Sequence, residues 1–360
     1  MIQLDALPKL YGAITDHRRM EHDIQRLLRC NLPSNYLRPP TGLSGVRQYA
    51  QKNFFSILFL SIYKALGISA PRRQFYGLIN HCLRGLVTGT DNLLDNEYKE
   101  MLPLAFPDSA VRFKSVMHIL LFDRFLFQVV DRAVGEGLIS QPDVDRVHKA
   151  LFAALVPIGA EEACEEGGIS TILTPDEILS SVHMYKGGKL LCLAFVAPLL
   201  LEKERSSSLV LAEKGIYSIG MALQIIDDLT DLYEDIRDKN HNYLVSAIHH
   251  TGTDREQALL TELRLFPGAG GEQPIELLFE TSVRRVMKTA IGEALHGFDI
   301  LQQAGYWLSR RNGYKLIRYL FRLRGVENLL PFFPAADEIE RVDPPATSAP
   351  LAKLVEHGLL

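Results

Sequence analysis

Between Gly220 and Asp235 the chain reads GMALQIIDDLTDLYED. Asp227, Asp231 and Asp235 stand four residues apart, so on a helix they project from one stripe. Leu223, Ile225, Ile226, Leu229 and Leu232 fill most of the remaining circumference. Carboxylates stacked along one stripe of an otherwise apolar helix repel each other unless cations neutralise them. A hard divalent ion carrying a polyanionic ligand is the natural neutraliser, because oxygen-rich Mg²⁺ sites combine a few carboxylates with substrate phosphates.

A second acidic cluster lies upstream, in Thr90-Asp91-Asn92-Leu93-Leu94-Asp95-Asn96-Glu97. Asp91 and Asp95 are again at i and i+4, after the apolar run GLINHCLRGLVTG. One acid pair near a helix end is usually solvated or complements the terminus. Two such pairs on apolar helices carry more weight. If the helices face each other across a bundle, their carboxylates can hold metal ions between them. Between the clusters stands Met184-Tyr-Lys186-Gly187-Gly188-Lys189-Leu190, within an apolar helix. A lysine there is costly unless an anion compensates it, the alternative being a side chain that snorkels to the surface. The paired glycines would let another group, such as a bulky ligand, approach the backbone closely.

The elements that must position these residues read as helices almost throughout. Apolar residues recur at three- and four-residue steps in 45–67, 74–94, 110–136, 141–158, 175–201, 207–236, 276–304 and 312–325. No convincing run of alternating strands appears. Helix starts are marked by Thr174-Pro175-Asp176-Glu177 and Gln141-Pro142-Asp143, and Phe266 to Pro274 reads as a loop. The expectation is an all-α bundle of roughly eight to twelve helices. It forms a single domain over residues 1–330, followed by an irregular tail over 331–360.

With 360 residues, 47% hydrophobic and 23% charged, the chain is long enough for a sizeable core. A net charge of −4 gives no reason to expect a nucleic-acid partner. Cys30, Cys82, Cys164 and Cys192 are scattered without zinc-ligand spacing, which fits reduced thiols and a cytoplasmic location. The N-terminus lacks the apolar core of a secretory signal. Phe54 to Leu66 and Leu190 to Leu201 fall short of the roughly 20 apolar residues that span a bilayer, so both read as core helices. Peripheral membrane contact stays open, as does a homodimer.

Taken together, these residues resemble those of the class I isoprenoid synthases, an all-α superfamily with a central active-site cavity. The superfamily contains polyprenyl diphosphate synthases, squalene/phytoene synthases and class I terpene cyclases. Gln224-Ile-Ile-Asp227-Asp228-Leu-Thr-Asp231-Leu-Tyr-Glu-Asp235 is similar to the second aspartate-rich motif of polyprenyl synthases. Asp91-Asn92-Leu93-Leu94-Asp95 resembles a reduced form of the first, DDxxD, with Asn92 at its second aspartate. Lys186 falls where that family has the lysine of its KT motif. The resemblance implies Mg²⁺, up to three ions recruited with the diphosphate. Their ligands would be Asp91 and Asp95 on one wall, Asp227, Asp228 and Asp231 on the other, and Asp235 as an outer or alternative ligand. It implies an allylic prenyl diphosphate substrate contacted by Lys186 and Gln224. Metals and lysine would stabilise the departing diphosphate, making Lys186, Asp227 and Asp231 the catalytic set. Phe75, Tyr76, Phe122, Phe125 and Tyr217 are candidates to line the pocket, although aromatics in apolar helices read first as core.

The departures bear on the reaction. Elongating synthases carry paired arginines after the first motif, where this chain has Glu97-Tyr98-Lys99-Glu100. Their basic isopentenyl-diphosphate site finds its nearest match in Arg47 and Lys52. Asp227, Asp231 and Asp235 also occupy the spacing of the terpene-cyclase triad. Asp231-Leu-Tyr-Glu-Asp235, with Tyr243-Leu244, echoes the DxxxD motif of squalene/phytoene synthases. The resemblance therefore implies ionisation of an allylic diphosphate and transfer of the prenyl cation to a second prenyl unit. Cyclisation and head-to-head coupling are the sister outcomes, and a catalytically silent regulatory subunit is the non-enzymatic one. His249-His250 reads as a pair suited to a helix end, Arg284-Arg285 as a solvated face, and Trp307 as packing.

Overall fold

Three- and four-residue apolar spacing becomes helix throughout the computed structural model of the protein, which describes residues 7–39, 45–94, 98–268, 273–308, 310–323 and 325–333. Among the described residues no strand forms, and the extended pairing is one isolated bridge between Leu37 and Leu104. The all-α expectation is met. The chain divides into two compact units, an N-terminal one made of Leu7–Leu151 with Leu193–Ser206, and a C-terminal one made of Phe152–Cys192 with the chain from Ser207.

The N-terminal unit begins with a helix outside the periodic segments read from the sequence, α1 (Leu7–Asn31). Leu10, Ala13, Ile14, His17, Met20, Ile24 and Leu28 are its buried residues, at helical spacing but separated by charged side chains that dilute the pattern. The expected helix at 45–67 is two, α2 (Val46–Lys52) and α3 (Phe54–Ala65). They part at buried Asn53, whose amide donates to the Tyr49 carbonyl at 3.2 Å. α4 (Ala70–Leu94) and α5 (Val111–Gly135) bring in Phe75, Tyr76, Phe122 and Phe125, none more than 3% exposed. These four aromatics are core of this unit. Arg72 on α4 pairs with Glu202 at 3.0 Å, and Tyr76 donates to the same carboxylate at 2.9 Å, which ties α4 to the 193–206 segment.

α6 (Gln141–Ala163) contributes to both units. In the C-terminal unit, Thr174 opens the next helix as the sequence predicts. Its hydroxyl accepts from the Glu177 N–H while Glu177 accepts from the Thr174 N–H at 2.8 Å, with Pro175 in the first turn. α7 (Pro175–Glu177) passes through two π-helical turns, Ile178–Val182 and Met184–Lys189, into α8 (Leu190–Leu201). Such widened turns are rare overall but frequent at functional sites.

α9 (Ser206–Thr230) is seated by glycine contacts on two sides. A Cβ on Gly220 would lie 2.3 Å from the Gly187 carbonyl oxygen, and one on Gly297 would lie 2.5 Å from that of Gly215. Gly297 belongs to α14 (Glu280–Gln303). A Cβ on Gly188 would meet the Tyr217 ring at 2.4 Å. The paired glycines thus admit a helix and a tyrosine ring rather than a ligand.

α10 (Leu232–Asp238), α11 (Tyr243–Thr251), α12 (Asp254–Leu265), α13 (Ile275–Leu278) and α15 (Arg310–Leu323) complete the described helices. The expected count falls short because breaks and short segments divide the longer periodic runs. Glu293 on α14 is buried, and burial pushes its carboxyl up to about 7 against a hydrogen bond from Ser218. Trp307 is 68% exposed, contrary to the packing role expected of it. By length and composition Pro175–Leu201 and Lys203–Thr230 could each cross a membrane, yet 67% of the apolar window of the second is buried within the protein. Residues 331–333 belong to a short 3₁₀ turn and its cap, and 334–360 lie outside the described residues.

Candidate functional site

The aspartate segment is a helix that bends. α9 ends at Thr230, and Asp231 (φ −99°, ψ 9°) caps α10. Helical hydrogen bonds nevertheless cross the junction, from the Asp231 N–H to the Asp227 carbonyl at 2.9 Å and from the Asp235 N–H to that of Asp231 at 2.8 Å. The cause of the bend sits on α11. The Asn242 amide donates to the Asp228 carbonyl at 2.7 Å, placing a side chain in the last turn of α9, and such insertions kink helices. The spacing of the three aspartates survives, but their surroundings differ. Asp231 is exposed, Asp227 and Asp235 are half-buried, and Asp228 is buried.

Asp228 is consumed by the protein. Its carboxylate pairs with His183 at 2.9 Å, accepts from Gln224 at 3.3 Å, and takes the backbone N–H of Tyr243. Asp235 accepts from Asn242 at 2.7 Å and from Asn240 at 3.4 Å. Burial first, then the charges of Asp228 and Asp231, push its carboxyl up to about 7, against those two hydrogen bonds. Asp228 is therefore the anchor of the bend. Asp228→Asn is expected to cost about 2–3 kcal/mol, because an amide cannot accept from all three donors. A shift of the urea midpoint measures it, and an unchanged midpoint would remove the anchoring role.

Lys186 lies in the second π turn and does not snorkel. Its ammonium donates to Glu165 at 2.8 Å and to Glu162 at 2.9 Å, both from the end of α6. Burial alone would lower its pKa, but the two glutamates overcompensate and hold it well above the usual lysine range. From the sequence, the anion expected to compensate Lys186 is the substrate diphosphate. What that expectation misses is that Glu162 and Glu165, in GAEEACEEGG, compensate it; that acidic run directly after an apolar helix was the available signal. His183 and Asn242 were missed as well, and only their contacts with Asp228 reveal them. His241 belongs to the same surroundings, its imidazole pushed down by burial despite the nearby charge of Glu165.

The remaining candidates belong to the N-terminal unit. Asp91 is half-buried near the end of α4, while Asp95 lies outside the described residues. Asn92 is 1% exposed and clasps the backbone of Lys99, accepting from its N–H at 2.8 Å and donating to its carbonyl at 3.1 Å. Lys52 is exposed at the end of α2, and the Arg47 side chain is not among those described. The charges of Lys52, Arg84 and Arg18 all act on Glu21, whose carboxyl burial raises and which accepts a hydrogen bond from Tyr49 at 2.6 Å. The spacing of Arg18 and Arg84 in sequence carries no phosphate-binding signature.

Among the described residues no three His, Cys, Asp or Glu side chains converge as a protein-only metal cage. Mg²⁺ does not require one, because it keeps several waters and uses one or two carboxylates with substrate phosphates. Asp227 and Asp231 fit that use, next to Asp235, whose carboxyl is raised first by burial and then by the charges of Asp228 and Asp231. Asp228 and Asp235 each accept hydrogen bonds from protein donors.

No family model matches the sequence, and no curated protein does. Solved structures do match. A polyprenyl synthetase from Streptomyces coelicolor A3(2) aligns with a TM-score of 0.59 at 16% identity, over 86% of this chain and 99% of that one. A geranylgeranyl pyrophosphate synthetase from the archaeon Geoglobus acetivorans aligns at 0.56 and 16%, over 85% and 98%. A decaprenyl diphosphate synthase from Rhodobacter capsulatus gives 0.55 and 15%, over 85% and 98%. At such identities the likeness speaks for architecture alone, and the chain has the all-α fold of the isoprenoid synthases.

Proposed function

We propose that the protein is a Mg²⁺-dependent enzyme that ionises an allylic prenyl diphosphate and passes the prenyl cation to a second prenyl unit. The observation that carries this reading is the division of labour at the bend. Asp228 is locked by three donors, and that lock fixes Asp227 and Asp231 on either side of the α9–α10 junction. A preorganised pair of carboxylates is what a metal–diphosphate site needs, since the main catalytic term in such ionisations is electrostatic. When bound with the diphosphate, Mg²⁺ would neutralise the charge that develops on the leaving group. Asp227 and Asp231 would hold it, Asp228 and Asn242 keep the bend, and Gln224 braces Asp228 one turn earlier. The names of the matched structures support a prenyl diphosphate as substrate.

Labelled allylic diphosphates of several chain lengths, incubated with Mg²⁺ with and without isopentenyl diphosphate, test the reading. A longer diphosphate means elongation; a hydrocarbon or alcohol with free diphosphate means cyclisation or head-to-head coupling. Asp231→Asn is expected to lower turnover about 10²-fold or more, the usual loss on removing one element of an electrostatic site. A second reading, a catalytically silent subunit of a prenyl synthase, draws on the engagement of Lys186 by Glu162 and Glu165. Absence of turnover in every combination, with the fold intact, would overturn the first reading in favour of the second.

A further inference from the structure

The charges around Lys186 do not sum to a site that welcomes a bare polyanion. One ammonium faces two carboxylates, at 2.8 and 2.9 Å. Two of its three donor hydrogens are engaged, the three groups sum to one negative charge, and Glu161 adds its own charge nearby. Like charges brought together in a half-buried setting repel strongly enough to turn a partner away. The two glutamates are also held unequally. Glu165 is 8% exposed, and its other oxygen, Oε1, is buried without a hydrogen-bond partner among the described residues. A buried carboxylate oxygen left unsatisfied is costly, so this half of the pairing stores free energy. Glu162 is 35% exposed and can return to water cheaply. Glu165 lies past the end of α6, followed by Gly167 and Gly168, both with positive φ (88° and 84°). On the other side of the pair, Lys186 is carried by a π turn, a widened helical geometry that is frequent at functional sites.

We propose that Glu162 and Glu165 form an internal anionic latch on Lys186, which keeps out metal-free diphosphate and yields to diphosphate that arrives with divalent cations. This rests on the proposed diphosphate reading and deepens it. A bare diphosphate must displace two carboxylates while adding its own negative charge beside them. A diphosphate carrying Mg²⁺ brings positive charge that the released carboxylates can face, so the exchange at Lys186 no longer concentrates negative charge. The latch makes the metal a condition of binding as well as of chemistry. Glu162 and Glu165 are in this sense positioning residues, acting through Lys186.

The test is calorimetric titration of the full chain with inorganic pyrophosphate, with Mg²⁺ and separately with EDTA. The wild type is expected to bind only with Mg²⁺. Glu162→Gln and Glu165→Gln are each expected to strengthen metal-free binding at least about tenfold, a small part of what a unit charge at contact distance contributes in a half-buried site. Adding Lys186→Met to either variant should abolish the gain. Metal-free affinity unchanged in both glutamine variants, while Lys186→Met still weakens Mg²⁺–pyrophosphate binding, overturns the latch and leaves the diphosphate reading standing. Failure of the wild type to bind Mg²⁺–pyrophosphate, with Lys186→Met without effect, overturns the diphosphate reading itself. Circular dichroism checks the fold of each variant. Should Glu165→Gln not fold, the more exposed Glu162→Gln decides the matter alone.

Discussion

Gly220→Ala is expected to destabilise the C-terminal unit by about 3 kcal/mol or more, at the upper end of overpacking costs. The added methyl would sit 2.3 Å from the Gly187 carbonyl oxygen and 2.8 Å from its carbonyl carbon. Both are backbone atoms, so no rotamer change relieves the overlap, and α9 must move away from the π turn. That turn carries Lys186, and α9 carries Gln224, Asp227 and Asp228. The same substitution should therefore disturb the Lys186 and Asp228 networks before the unit unfolds. Gly159 is the control. It lies within α6 with nothing inside 4 Å of an added Cβ, so Gly159→Ala should gain about 0.5–1 kcal/mol from helix propensity. Urea unfolding of the two variants beside the wild type measures both. Equal midpoints for Gly220→Ala and the wild type would mean the helices do not approach this closely.

Acid should dismantle the N-terminal unit early. Burial, with the charge of Arg84, lowers His17 to about 4, and burial with Arg84 and His17 lowers His81 to about 3. His118 is lowered to about 4 by burial, against a hydrogen bond from Leu102 and with the charge of Lys114. That bond, from the Leu102 N–H to Nε2, itself marks His118 as neutral, because a doubly protonated ring has no acceptor. His17 bonds Tyr49 at 2.6 Å, and His81 packs against Phe122 with ring centres 5.6 Å apart. In the unfolded chain all three titrate near 6.5. Between that value and the folded ones the unfolded state binds more protons, so stability is complete above about 6.5 and falls as pH drops toward 4. Down to about pH 4 each histidine accounts for roughly 3 kcal/mol, and three together rival the whole stability of an ordinary domain. His81→Leu removes the deepest of them without adding a charge. It should move the acid midpoint of the N-terminal unit to lower pH, followed by tyrosine fluorescence. A midpoint that stays in place would assign acid unfolding to the carboxylates.

Fold class was legible because apolar spacing in the long helices is dense enough to survive any local irregularity. The Thr174 start was legible for another reason: a capping box involves residues three apart, so all its physics lies within the local sequence. The breaks were not. α9 stops at Thr230 because Asn242, twelve residues on, reaches the Asp228 carbonyl, and nothing in DDLTDLYED signals that. α1 escaped notice because charged residues fill the positions between its buried ones. At the site, the local requirements were legible and the groups that meet them were not. A buried lysine needs an anion and paired glycines need a close neighbour. The anion turned out to be Glu162 and Glu165 and the neighbour α9, both distant in sequence. Pairwise requirements can be read from a chain, whereas the identity of a partner is a property of the fold.

The clasp between Asn92 and Lys99 fixes which side chain this position can carry. An amide both donates and accepts, and Asn92 does both toward one backbone residue from a site 1% exposed. A carboxylate there could only accept, leaving the Lys99 carbonyl facing a buried negative oxygen. Asn92→Asp would therefore set a buried carboxylate against the Lys99 carbonyl in place of a donor, so this position holds its amide for structural reasons that are independent of any metal.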